Sequence, residues 1–164
     1  AIDHDPPAAG PEKEASTDLH GKRLLVVEDN ELNMEIAEFM LKSAGAEVVK
    51  AFDGESAVRA FAADPAGCDA ILMPSRFEPC GLCQLMSLRY GAVPIIRKTG
   101  GLKDTVSIYN PKSKTGTGFG FTDYNAEGFL DAILAALDVY KKNPEEWKNL
   151  TAKGMRKNLS LIHI

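Results

Sequence analysis

Glu28 and Asp29 stand side by side directly after the apolar run RLLVV, residues 23–27. Two carboxylates at the end of a buried strand make a hard-oxygen corner suited to Mg²⁺. The same pair also reads as a solvated acidic turn in which Asp29 assists a helix cap. A second apolar run, DAILM (69–73), has the form of a strand that delivers a functional residue at its carboxyl end, and Pro74 takes that position. Proline supplies neither a nucleophile nor a metal-ligating side chain. Cys80 and Cys83 form a C-x-x-C, but the sequence offers no second Cys/His pair to complete a tetrahedral site, and Cys68 stands apart as a packing residue. EPCGL (78–82) reads as a strand-to-helix turn, where unpaired N–H groups and a positive dipole end suit an anion. TGTGFG (115–120) has the glycines of a dinucleotide fingerprint without the strand before it or the helix after it, so a loop is expected.

The elements that must hold these residues follow from pattern. The 164 residues fit one ordinary domain with a single sizeable core. Hydrophobic residues make up 45% and charged residues 26%, which is globular usage, and no apolar run approaches a membrane span. A net charge of −4, with the 19 Lys and Arg spread along the chain, argues against nucleic acid as a partner. Three cysteines and no leader-like segment predict reduced thiols and a cytoplasmic protein.

Residues 1–21 carry prolines, acids and few large apolar side chains, and are expected to be a disordered linker. From Lys22 on, apolar runs alternate with amphipathic stretches, the signature of a parallel sheet covered by helices. The strands are expected at 23–27, 46–51, 69–73, 93–97 and 118–121. Helices are expected at 31–44, 54–63, 81–91, 125–142 and 144–158, with a short one after the glycine turn TGGLKDTV (99–106). In the first helix Leu32, Ile36, Phe39 and Met40 repeat at helical spacing. The predicted fold is a three-layer open parallel α/β sheet, flavodoxin-like or Rossmann-like, with strand order 2-1-3-4-5 and a ligand crevice at the carboxyl ends of strands 1 and 3.

The text LLVVEDNELNMEIAEFMLKSAGAEVVKAFDGESAVRAF followed by DAILM resembles the receiver domain of response regulators, of the kind attached to hybrid histidine kinases. The resemblance covers residues 22–73. It implies an aspartate at the end of the third strand that accepts a phosphoryl group, with Mg²⁺ held by that aspartate and the acids after strand 1. Here Pro74 holds the acceptor position. The family's hydroxyl after strand 4 could be mimicked by Thr99, but its lysine after strand 5 has no counterpart in GFGFTD. The implied outcome is loss of phosphorelay chemistry, with at most a weak Mg²⁺ site at Glu28 and Asp29. A pseudo-receiver that binds a partner without phosphorylation is the alternative reading.

From Met73 the resemblance changes. MPSRFEPCGLCQLMSLRYGAVPIIRKTGGLKDTV, then GTGFGFTDYNAEGFLDAILAALDVY and WKNLTAKGM, resemble the C-terminal part of bacterial glycogen and starch synthases, retaining glucosyltransferases that use ADP-glucose. The resemblance implies that residues 74–158 are part of a donor-binding lobe. Glu78 matches the family's acidic residue near the donor sugar, Cys80, Gly81 and Leu82 match the turn facing sugar and phosphates, and Thr99, Gly100 and Gly101 match its glycine turn. The acceptor lobe and the basic pair that holds the pyrophosphate have no counterpart in residues 1–72. No cofactor is required, and weak ADP-glucose or ADP binding is the most the match implies. Residues 159–164, LSLIHI, resemble a translated sequencing adaptor, which implies a tail foreign to the fold. The chain therefore reads as a chimera joined at Met73–Pro74. It should carry neither complete activity and fold as one marginal domain with a continuous sheet.

Overall fold

The computed structural model describes residues 18–64, 67–76 and 82–157. Five parallel strands form one sheet in the order β2-β1-β3-β4-β5: β1 Arg23–Val27, β2 Glu47–Ala51, β3 Ala70–Met73, β4 Val93–Arg97 and β5 Phe119–Phe121. The helices are α1 Glu31–Ser43, α2 Gly54–Ala63, α3 Leu82–Tyr90, α4 Leu102–Thr105, α5 Ala126–Lys142 and α6 Pro144–Arg156. This is the expected α/β architecture with its expected strand order.

Local chemistry explains where the helices begin. Asn30 caps α1 by accepting from Asn33 N at 3.1 Å, and Asn125 caps α5 by accepting from Gly128 N at 2.8 Å. Asp53 and Ser56 form a reciprocal capping box on α2. Pro144 opens α6, where its missing N–H costs nothing. Gly45 follows α1 at φ 92°, a left-handed turn that suits glycine.

The strands are apolar on both faces because both faces are covered. Leu24, Val26, Leu72 and Ile95 face the layer of α1, α5 and α6, while Leu25, Ile71, Met73 and Ile96 face α2, α3 and α4. Pro94 lies inside β4 without breaking it. Val93 N donates to Asp69 O of the β3 side at 3.2 Å, so the Pro94 nitrogen faces the β5 side, where the ladder starts only at Ile95↔Phe119. The missing donor falls beyond the end of that ladder.

The sheet runs unbroken across Met73–Pro74: β3 pairs with β1 through Leu25↔Ile71 and with β4 through Ile71↔Pro94. The two helical layers differ. On one face α2 packs on α3, with the Phe61 and Tyr90 rings 6.1 Å apart and Cys83 Sγ donating to Gly54 O at 3.5 Å. On the other face α1 covers β1 and β2, α5 covers β4 and β5, and the α1 and α5 backbones do not meet. A groove of about 810 Å³ separates them.

The structure decides which side of α1 meets the sheet, and it corrects the expected start of the core. The α1 stripe on the sheet is Met34, Ala37 and Leu41. Leu32, Ile36, Phe39 and Met40 are exposed, Phe39 to 73%. Both stripes have helical spacing, and the register of α1 over the sheet chooses between them. The core also begins earlier than residue 22: Leu19 is 2% exposed and its N–H donates to Ala44 O at 2.7 Å, closing the layer under the end of α1. Residues 1–17 and the 159–164 tail lie outside the described residues, as does residue 158.

Candidate functional site

The carboxyl edge of the sheet gathers the ends of β1, β3, β4 and β5, and the order 2-1-3-4-5 puts the switch point between β1 and β3. Connections from these two strands leave toward opposite faces, which opens a crevice there. Glu28, Asp29 and Pro74 stand at this crevice, so the structure does bring together the residues singled out from the two strand ends.

Glu28 is turned inward, 4% exposed, at one end of the groove. Its Oε1 accepts from Asn30 N at 3.2 Å and from Asn33 Nδ2 at 3.1 Å. Burial pushes its carboxyl above the ordinary range, more than these donors pull it down, and Asp29 adds to the upward push. Asp29 is exposed. Pro74 is half-buried and lines the same groove, offering no polar side-chain atom to either acid. Among the described residues no group of three His, Cys, Asp or Glu side chains comes together to hold a metal ion. A hard cation prefers six or more oxygens, and the Glu28–Asp29 pair would leave most of them to water.

Three further side chains organise this edge and were not apparent from the sequence. Arg97, at the end of β4, donates through Nε to Thr122 O at 3.2 Å and through Nη1 to Arg76 O at 2.7 Å. Its guanidinium lies over the Tyr124 ring, 5.2 Å from the centroid. Tyr124 accepts from Asn33 Nδ2 at 3.0 Å. One guanidinium thus ties the ends of β3, β4 and β5 together, and one amide links that cluster back to Glu28. A basic residue ending a buried strand was the available signal for Arg97. The roles of Tyr124 and Asn33 depend on contacts 91 residues apart.

The residues matched to the donor site are distributed as follows. Thr99, Gly100 and Gly101 form the turn after β4, with Thr99 N donating to Arg97 O at 2.8 Å, Leu102 N donating to Thr99 O at 3.1 Å, and Gly100 at φ 45°. Leu82 opens α3 and is half exposed. Glu78, Cys80 and Gly81 lie outside the described residues. Behind Leu82 the helix is pinned to the glycine turn: Gln84, fully buried, donates through Nε2 to Thr105 Oγ1 at 2.9 Å, and that hydroxyl donates to Gly101 O at 2.9 Å. The start of α3 and the turn after β4 are therefore tied together by hydrogen bonds. Cys83 is buried against Gly54, which suits packing, and burial pushes the Cys68 thiol up. TGTGFG runs into β5, which takes in its Phe119 and Gly120, and no helix follows it, so the loop expectation holds for residues 115–118 and not for the end of the segment. Among the described residues no helix is long and apolar enough to cross a membrane.

A parallel, doubly covered sheet with its crevice at the β1/β3 switch point defines a Rossmann-like or flavodoxin-like α/β domain, and solved structures agree. The catalytic domain of starch synthase IV from Arabidopsis thaliana, bound to ADP and acarbose, superposes with a TM-score of 0.64 at 24% identity, over 90% of this chain and 36% of that one. A response regulator receiver domain protein from Clostridium thermocellum superposes at 0.53 and 18% identity, over 76% of this chain and 98% of that one. At these identities the likeness is one of fold. In sequence, the chain is 57% identical to glycogen synthase of Lachnospira eligens over 95 residues, which is 58% of this chain and 20% of that protein. Any continuous stretch of that length in a chain of 164 residues includes residues 70–95, hence the SRFEPCGL segment. The chain thus spans about a fifth of the curated relatives it matches. No protein-family model matches the chain.

Proposed function

We propose that residues 74–158 are a partial nucleotide-sugar-binding segment of the glycogen-synthase type, joined at Met73–Pro74 to a receiver-like half that has lost its phosphoryl acceptor. In this reading the chain carries neither complete activity. The observation that supports it best is the pairing of 57% identity with a match to only 20% of the relative's length. A glucosyltransferase fragment of this extent retains donor-side residues but lacks an acceptor lobe. Without cations on the leaving group, glycosyl transfer loses its main electrostatic stabilisation. In the first half, Pro74 at the end of β3 leaves Glu28 and Asp29 without a nucleophile between them, and Mg²⁺ binding there is weak at most.

Donor recognition falls to Glu78, Cys80 and Gly81, which precede α3 in the sequence, to Leu82 at the start of α3, and to Thr99, Gly100 and Gly101 at the turn after β4. Gln84 and Thr105 tie the first turn of α3 to the turn after β4. The ligand class is ADP-glucose or ADP.

Three measurements test the proposal. Calorimetric titration with ADP and ADP-glucose should show weak binding that Glu78→Gln reduces for the sugar nucleotide more than for ADP. Incubation with ADP-glucose and a glucan primer should release no ADP above background. Acetyl phosphate with Mg²⁺ should leave the mass unchanged. Primer-dependent ADP release that disappears in Glu78→Gln, or a stable phosphoryl adduct, would overturn it.

A further inference from the structure

Helix α1 is apolar on two sides. Met34, Ala37 and Leu41 face the sheet, while Leu32, Ile36, Phe39 and Met40 face outward at 64%, 49%, 73% and 40% exposure. Ile36, Phe39 and Met40 also form one wall of the groove, and Phe129, Leu130 and Ile133 of α5 form the opposite wall. An uncovered stripe of this size on a helix, beside an apolar trough of about 810 Å³, is a surface that needs a partner.

We propose that the partner is a second copy of this chain. In the resulting isologous dimer, α1 of each copy lies antiparallel to α1 of the other and seats its outer stripe in the other's groove. The molecule carries both the stripe that needs covering and the trough that needs filling, so a single two-fold operation satisfies both.

Charge selects this occupant and its direction. Helix α1 begins with Glu31 and ends with Lys42, and α5 begins with Glu127 and ends with Lys141 and Lys142. Both helices follow strands of one parallel sheet, so they point the same way along the two walls of the groove. A second α1 laid in antiparallel brings its Glu31 and Glu35 to the basic ends of both walls and its Lys42 to their acidic starts. The opposed helix dipoles favour the same arrangement. A parallel insertion would set like charges together. Glu31 and Glu35 enter no ion pair among the described residues, and Lys42 pairs with its own Glu38 at 2.7 Å on the outer surface. Four residues before Phe39 stands Glu35, and three after it stands Lys42, so a two-fold axis near Phe39 places Glu35 of each copy opposite Lys42 of the other.

Sedimentation equilibrium on the full chain tests this. The wild type should fit a monomer–dimer equilibrium, and Phe39→Glu should abolish the dimer without changing the far-UV circular dichroism, because Phe39 contributes little to the fold. Glu35→Lys sets like charges together at two symmetry-related places and should weaken the dimer about tenfold. Adding Lys42→Glu to Glu35→Lys should restore it. A wild type that stays monomeric to its solubility limit, open-ended oligomers, a dimer that survives Phe39→Glu, or a charge reversal without recovery would each overturn the proposal.

Discussion

Asn33 donates from Nδ2 to the Tyr124 hydroxyl at 3.0 Å and from the same nitrogen to Glu28 Oε1 at 3.1 Å. This amide is the polar bridge over one end of the groove between α1 and α5. Lys22, which donates from Nζ to the Tyr140 hydroxyl at 2.6 Å, bridges toward the other end. The residues before and after Met73–Pro74 are thus linked on this face by contacts through two tyrosines, where α2 and α3 on the opposite face close by direct packing.

Removing the first bridge should cost little but measurably. Tyr124→Phe deletes an acceptor that is partly solvated, so a loss of about 0.5–1 kcal/mol is expected in urea unfolding. A double-mutant cycle with Asn33→Ala should show coupling of similar size, and additive effects would mean that the bridge is not formed in solution.

Glu28 should make stability fall with rising pH. Its carboxyl is pushed above its ordinary value of 4.5 chiefly by burial, so folding favours the protonated form. That contribution is complete below the ordinary value and is lost as pH rises through the displaced one. Glu28→Gln keeps the shape and an acceptor for Asn30 N and Asn33 Nδ2 without the charge. Its stability relative to wild type should therefore increase from acid to neutral pH, read as a growing difference in urea midpoint. A constant difference would show that Glu28 is not buried as described.

Gly118 should not tolerate a side chain. A Cβ there would lie 2.5 Å from Pro94 O and 2.8 Å from a Val106 methyl, and the first of these is strand backbone that cannot turn aside. Gly118→Ala is expected to destabilise by about 1–3 kcal/mol through displacement of β5 from β4. Thermal unfolding measures it, and an unchanged midpoint would mean that β5 is not seated on β4.

Unfolding should be cooperative across Met73–Pro74. Ile71 is fully buried and sits in β3 between β1 and β4. Ile71→Ala is expected to cost about 2–5 kcal/mol and to lower hydrogen-exchange protection equally in β1 and β4. Protection lost on one side only would separate the halves into independent units.

The order and type of the elements were legible in the sequence because they depend on local chemistry. Strands made of RLLVV, AILM and VPIIR must be covered on both faces, Asn30 and Asn125 mark helix starts by their own side chains, and right-handed crossovers leave few ways to arrange five parallel strands. That a proline stands directly after β3 was equally legible, since the end of an apolar strand is a position the sequence names directly. Which face of α1 meets the sheet was not. Leu32, Ile36, Phe39 and Met40 repeat at helical spacing, and so do Met34, Ala37 and Leu41, and only the seat of α1 over β1 and β2 buries the second set and leaves the first beside the groove. The gap itself depends on where α5 comes to rest over β4 and β5, and the Arg97–Tyr124–Asn33–Glu28 cluster depends on bringing the ends of four strands to one edge. Such contacts between residues far apart in sequence have no local pattern to announce them, so tertiary packing alone decided them.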